Sequence, residues 1–542
     1  MEYLHLFKTK TEHDSFYGGN KYKEPWLAYI RDNTLVTSNR SYDYYRNEYL
    51  TLSALEDGTI TITIPAAVNA TYATSLSYSK DKSSWTETAI DSTEQTITIP
   101  VSAGDDVYLK GKAKQWFGLD AEMGMNIAVS ANFNVSGNIM SLLYDDDFKD
   151  KTTFPDESVF TFGLLFAENI YLKNAENLIL PATTLALGCY SRMFYNCSSL
   201  TTAPELPATT LALGCYSEMF SGCTSLTTAP ALPATTLAQS CCYQMFYNCT
   251  SLTTGPTALP ATTLASSCYS EMFSGCTSLT TAPALPATTL AQYCYSSMFQ
   301  GCSSLATAPE LPATTLAQSC CYQMFYNCTS LTTGPTALPA TTLKEECYRQ
   351  MFYNCTSLTT APTLPATTLA DYCYQNMFSG CTSLTTAPEL PATTLANYCY
   401  DSMFQGCTSL TTAPELPATV LTDHCYFLMF YGCSSLTTAP ELPATTLASG
   451  CYYSMFQNCT SLTTAPELPA TTLTNSCYLQ MFYSCRRLNS ITMLATDISA
   501  TNCLKGWVNG VATTGTFIKA ASMTSLPTGS SGIPSGWTVV NK

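Results

Sequence analysis

The chain has 542 residues, too many for one hydrophobic core, so several domains or a repeat array are expected. Charged residues make up only 11% of it and the net charge is −16, which argues against nucleic acid and anionic membranes, because both need basic patches. No apolar run reaches the ~18 residues of a membrane span, so no membrane insertion is expected.

In chain order, residues 1–47 are polar and tyrosine-rich, with EPWLAYI as the compact apolar piece. The opening MEYLHLFKTKTEHDSFYGGNKYKEPW carries charges throughout and lacks the apolar core of a secretory signal. We read it as an N-terminal anchoring segment. Residues 48–135 change character: YLTLSA, TITITIPA, TSLSYS, QTITIPVS, DDVYLKGKA and NIAVSANFNVSG alternate apolar and polar residues between turn signals. That predicts a small antiparallel β-sandwich of the immunoglobulin-like or carbohydrate-module kind. Residues 136–180 form a transition, with Leu164 to Leu180 as an atypical first coil. Within it YDDDFKD (Asp145, Asp146, Asp147, Asp150) could supply oxygen ligands to calcium, but lacks the alternation and glycine of an EF-hand loop. A solvated turn is the preferred reading.

Residues 181–502 repeat. There are 27 cysteines and none precedes Cys189. They fall in pairs eight apart, from Cys189 and Cys197 to Cys477 and Cys485; Cys242, Cys321 and Cys503 are left over. The step between coils is 26 residues, and 27 where TTGPTALP replaces TTAPxLP. A fixed period of this size means a solenoid. In one unit Leu185, Cys189, Met193 and Cys197 are spaced by four, with Tyr190 and Phe194 thickening the stripe. This predicts a helix of about three turns, capped by Thr183 and Thr184. SSLTTAP follows as a short strand, ended by Pro204, which has no N–H. Stacked coils bury the stripe that a lone coil cannot. Helices are wider than strands, so the stack should curve. The fold class is therefore mixed: an antiparallel β-sandwich, then an α/β solenoid of about 12–13 coils with short strands on one face and helices on the other.

The unit CTSLTTAPxLPATTLAxxCYxxMFxxC resembles the BspA-like leucine-rich repeats of bacterial surface proteins, in particular the subgroup carrying MFxxCxSL. The likeness runs from about Leu178 to Leu488. The usual unit is shorter, about 23 residues, with an isoleucine two places before the LP leucine. Here Ala203 stands three before Leu206, so the strand side is longer and proline-bent.

Pairs eight apart do not match zinc spacing, and there are three histidines, His5, His13 and His424. Two ladders of small buried cysteines are preferred to disulfides between coils and to a metal. The resemblance implies that the second ladder stands where such repeats use Asn or Cys to satisfy loop backbone. Asp423, His424 and Cys425 are adjacent on one element, an arrangement ill suited to catalysis. Threonines of SLTTAP and PATTL would line up in rows; suitability for exposed strands explains them without a ligand.

Copies differ mainly in three pairs of slots: before the first cysteine, after its tyrosine and after Met-Phe. Tyr, Ser, Asn and Gln recur there, which fits either drift on an exposed face or adaptable recognition. The candidate binding surface is Tyr195, Tyr247, Tyr293, Gln300, Tyr326, Tyr353, Tyr372, Gln405, Tyr431, Tyr453 and Tyr483. Some units are copied verbatim, slots included: Cys215–Gln239 recurs at Cys268–Gln292. Residues 503–542 are Gly/Ser-rich and strand-like, as a C-terminal cap over the last coil would be.

The EPW-type start, small sandwich, LPATTLA repeats and IPSGWT ending are together similar to proteins of gut Bacteroidales and their crAss-like phages. With no signal peptide in view, the expectation is a non-enzymatic binding protein of a phage virion, fibre-like, extracellular after lysis. It would be anchored by its N-terminal region and contact a host cell-surface glycan or protein. The alternatives are a bacterial cell-surface adhesin and a purely structural spacer. No catalytic constellation, cofactor or metal site is expected, and a homo-oligomer is compatible with the sequence.

Overall fold

The computed structural model describes residues 27–31, 34–38, 42–118 and 123–542; His5, His13 and most of the anchoring segment lie outside them. The described chain divides into two units, residues 1–183 with 199–207, and residues 184–198 with 208–542.

Period-two alternation builds the first unit. β1 (Leu27–Arg31) and β2 (Thr34–Ser38) form an antiparallel hairpin, followed by a short helix, Tyr42–Arg46. β3 (Leu50–Ala54) buries Leu50, Leu52 and Ala54; β4 (Gly58–Ile64) buries Ile60, Ile62 and Ile64. Then come β5 (Ala73–Ser79), β6 (Thr86–Ala89), β7 (Gln95–Val101), β8 (Asp106–Ala113), β9 (Phe117–Gly118), β10 (Met123–Gly124), β11 (Asn126–Val129) and β12 (Phe133–Asn138). One sheet has the order β11-β4-β7, all antiparallel. The larger sheet runs β13-β12-β3-β8-β5-β6, where β13 is Leu172–Asn174 and β14 (Leu178–Ile179) also pairs with β12. β13 and β14 join β12 in parallel, while the other pairings of that sheet are antiparallel. Trp116 is 1% exposed and its Nε1 donates to Leu142 O at 2.8 Å. Two carboxylates of the acidic run are held in ion pairs. Lys110 lies 2.9 Å from both Asp145 and Asp146, and Tyr49 Oη donates to Asp146 at 2.6 Å.

The second unit corrects the expected helical face. No helix lies beyond Asp147 among the described residues. The stretch read as a helix is a ribbon of successive turns, four residues to a repeat. Cys189, Ser191, Met193, Tyr195 and Cys197 each donate to the carbonyl three residues back, at 3.0–3.3 Å. The intervening Gly188, Tyr190, Arg192, Phe194 and Asn196 donate instead to Leu213, Cys215, Ser217, Met219 and Ser221 of the next coil, at 2.7–3.0 Å. Alternate residues thus satisfy their backbone within the coil and between coils, so the ribbon leaves no amide row unpaired. Every fourth residue has positive φ: Gly188 at 58°, Arg192 at 55°, Asn196 at 56°. Each is the third residue of its turn, where a type II turn requires it. The expected caps Thr183 and Thr184 have no helix to cap; Thr184 instead bridges Thr210. Curvature was expected from wider helices, and that premise falls with them.

The opposite face carries isolated parallel bridges, such as Thr228 to Thr254 and Thr386 to Thr412, until late in the array. There β15 (Thr464–Leu468), β16 (Ser490–Met493), β17 (Thr516–Lys519) and β18 (Thr538–Asn541) form a parallel sheet in that order. The β15–β16 ladder shifts register between Thr464 and Glu467, around Pro466, whose nitrogen cannot donate.

Between the faces, buried side chains form columns. Phenylalanines stack from Phe194 through Phe482, ring centroids 5.3–5.7 Å apart and nearly parallel, and Trp507 follows at 6.1 Å. Each such burial stabilises by ~1.5–3 kcal/mol. A second column holds Tyr348, Tyr374, Tyr400, Tyr426, Tyr452 and Tyr478. Cys242 and Cys321 occupy the tyrosine place in their coils, which accounts for two of the unpaired cysteines.

Candidate functional site

All 27 cysteines are buried as free thiols. The second of each pair has a backbone task. Cys223 Sγ donates to Phe194 O at 3.1 Å, and Cys355 Sγ to Phe325 O at 3.0 Å, each reaching the preceding coil. Burial pushes the Cys407 and Cys425 thiols up to about 12, so they are poor nucleophiles. Asp423, His424 and Cys425 do not converge: Asp423 accepts from Ser449 N at 3.0 Å, His424 stacks on Tyr398, and Cys425 points into the core. No group of three or more possible metal ligands is assembled among the described residues. Several of the threonine hydroxyls are also occupied. Thr253 donates to Thr227 O at 3.1 Å, Thr332 to Ala306 O at 3.1 Å and Thr359 to Thr332 O at 3.3 Å, tying adjacent coils together.

The variable slots lie on the turn ribbon. The second residue of each pair is the one with positive φ, which explains why Asn or Gly so often stands there. Tyr195, Tyr247, Gln300, Tyr326, Tyr353, Gln405, Tyr431 and Tyr483 all take the place after Met-Phe and are half-buried. Of these, Tyr326 and Tyr353 sit in successive coils and stack at 4.8 Å; Tyr195 and Tyr247 are separated by the coil of Ser221. Tyr293 and Tyr372 are positive-φ residues before the first cysteine, at 56° and 58°, and Tyr453 follows the column tyrosine.

The densest cluster includes residues that the slot reading passed over. Tyr372, Tyr398 and His424 stack in successive coils at 4.9 and 4.7 Å. His424 meets Phe427 at 5.6 Å, and Phe427 stacks on Tyr453 at 4.8 Å. The Arg349 guanidinium lies over the rings of Tyr322 and Tyr372 at 5.8 and 5.7 Å and pairs with Glu346. Between the two aromatic rows Asp401, 6% exposed, accepts from Gln375 Nε2 at 2.5 Å and Ser402 Oγ at 2.7 Å. Burial holds the Asp401 carboxyl above the usual range, against those hydrogen bonds and the nearby His424 and Arg349. Comparing like slots in successive coils is the signal that finds Tyr398, His424 and Phe427. The result is a half-buried patch of Tyr, Phe and Arg, residues enriched at binding hot spots.

Comparison with known families agrees with the repeat. The family model described as "BspA type Leucine rich repeat region (6 copies)" matches residues 189–332, 295–437 and 416–504. A crystal structure of a leucine-rich repeat protein from Bacteroides ovatus is similar, at 18% identity and a TM-score of 0.45 over 73% of this chain and 92% of that one. No curated protein matches the sequence. With more than half of its residues inside the matched segments, the chain belongs to the BspA-type leucine-rich repeat family.

Proposed function

We propose that this is a non-enzymatic binding and adhesion protein whose contact face is the turn ribbon, centred on the patch from Tyr322 to Tyr453. Leucine-rich repeat proteins are usually non-catalytic binding proteins, and this family membership supports the reading. The aromatic patch carries it: a column of buried Phe and Tyr would hold the fold without half-buried rings outside it. The rings of Tyr372, Tyr398 and His424 cover one another's faces. A sugar that needs an open ring face finds few here, whereas ring edges, hydroxyls and the Arg349 guanidinium suit a protein surface. The partner is thus a host cell-surface protein in preference to a glycan.

The same proposal places the protein on a phage particle as a fibre-like component anchored by its N-terminal region. That part rests on the likeness of the start, small sandwich, LPATTLA repeats and ending, taken together, to proteins of gut Bacteroidales and their crAss-like phages. Family membership equally suits a bacterial cell-surface adhesin, and co-purification with virions separates the two.

The test is binding of the full chain to host cells, with Tyr398→Ser/Phe427→Ser as the variant. We expect at least a ~10-fold loss of affinity, since hot-spot aromatics contribute ~1.4 kcal/mol or more. Unchanged binding, or none by the unaltered chain, would sink the recognition claim and leave a spacer.

A further inference from the structure

A second place built to hold a ligand lies in the sheet region, remote in sequence from the aromatic patch. A cleft of ≈ 400 Å³ opens over the larger sheet. Its floor is the outward row of β3, β8 and β12, whose alternate residues Leu52, Val107 and Val135 are buried. Outward positions on a solvated sheet accept long side chains. Here they are short: Ser53 and Ser136 stand beside Asn134. The short floor makes the concavity.

The lining is preorganised and polar. Asp106 accepts from Ser53 Oγ at 2.6 Å and from Tyr108 Oη at 3.2 Å. A carboxylate has about four acceptor sites, so two remain for a ligand. Lys82 pairs with Glu48 and lies 4.4 Å over the Tyr108 ring, so its charge is already matched. Asn134 and Asn177 bring amides that no described residue bonds, each a double donor and an acceptor.

Glu48, Asp106 and Glu176 against Lys82 leave the cleft acidic, which repels phosphates, sulfates and acidic sugars. The scarcity of apolar lining excludes a lipid or a drug-like hydrophobe. A ligand with many hydroxyls and no anionic group meets these features. We propose that this cleft is a binding site for a neutral saccharide unit. The site goes beyond the protein-binding reading of the ribbon and stands or falls without it.

The experiment is calorimetric titration of the full chain with neutral oligosaccharides containing galactose, mannose or N-acetylglucosamine, beside sialylated counterparts and a simple amine. Variants are Asn134→Ala and Asn177→Ala. The expected result is binding of at least one neutral saccharide, at least ~10-fold weaker in each variant, with no binding of its sialylated form. Cell binding through Tyr398 and Phe427 should be untouched by either variant. If Asn134→Ala lowers the melting temperature, Asn177→Ala, which lies outside the strands, carries the test. No neutral saccharide bound, binding indifferent to the variants, or preference for the amine or the acidic sugar would each overturn the proposal.

Discussion

Gly432 stands at φ 73°, and a Cβ built on it would meet nothing closer than Gly406 Cα at 3.8 Å. There is room for a side chain, so what selects glycine is the backbone. An L-residue in this region pays ~1–2 kcal/mol, less for Asn, whose short amide tolerates it. Gly432→Ala should therefore lower stability by ~1 kcal/mol and Gly432→Asn by clearly less, read from denaturant midpoints. Gly222 is the contrast: its Cβ would fall 2.1 Å from Asn196 Oδ1, so alanine there adds a clash to the strain and should cost more than at Gly432. The Asn and Gly that look like adaptable recognition residues are in these places conformational ones. The first residue of each pair, free of that demand, is where Tyr326, Tyr353, Phe427 and Tyr453 stand; Tyr372, Tyr398 and His424 hold rings in the patch although their φ is positive.

The coil is the unit that the sequence makes plain, and its ribbon is the part that it disguises. Period, cysteine pairing, proline positions and core stripe are all readable, because each coil must repeat the same burial. The helix expectation failed on a small difference of period. Three steps of four residues, Leu185 to Cys197, would drift about 40° each on a helix of 3.6 residues per turn. A four-residue turn repeat keeps them in line, and the recurring Asn or Gly at the fourth place is its mark. Local pattern alone could not separate the two, since the deciding hydrogen bonds run to a coil about 25 residues away. Of the patch, Tyr372 and Tyr453 were legible; Asp401 and Arg349 were not, because their partners are assembled only by stacking. Every second ribbon N–H donates to the following coil, so coils should be removable only whole. Deleting residues 268–293, one complete step, should leave a folded, cooperatively melting protein by circular dichroism. Deleting half as many residues should abolish the transition, because the ribbon would then face the bridging side.

For the whole molecule, the columns bind protons. Thiols of Cys407, Cys425 and Cys485 are pushed up to about 12 from an ordinary 9.0, and the buried Tyr216, Tyr400 and Tyr426 are raised well above 10.0, all chiefly by burial. A raised value in the folded state favours the neutral form. The contribution is whole below the unfolded value and is lost as pH rises toward the folded one. Melting temperature should be flat near neutrality and fall steeply above about pH 9, and native thiols should ignore a thiol reagent that consumes all 27 on unfolding. The ribbon has a further property of the same scale. Its between-coil bonds all point one way, each donor in one coil reaching a carbonyl in the next. Peptide dipoles aligned in this manner add, as they do in a helix, but with the positive pole at the C-terminal end. There Gly506 N meets Ser531 Oγ at 3.0 Å and Val508 N meets Ser530 O at 3.3 Å. The last segment therefore acts as an electrical terminus. A chain cut after Gly510 would expose a row of unopposed N–H groups, and that end, on an otherwise acidic protein, would attract anions.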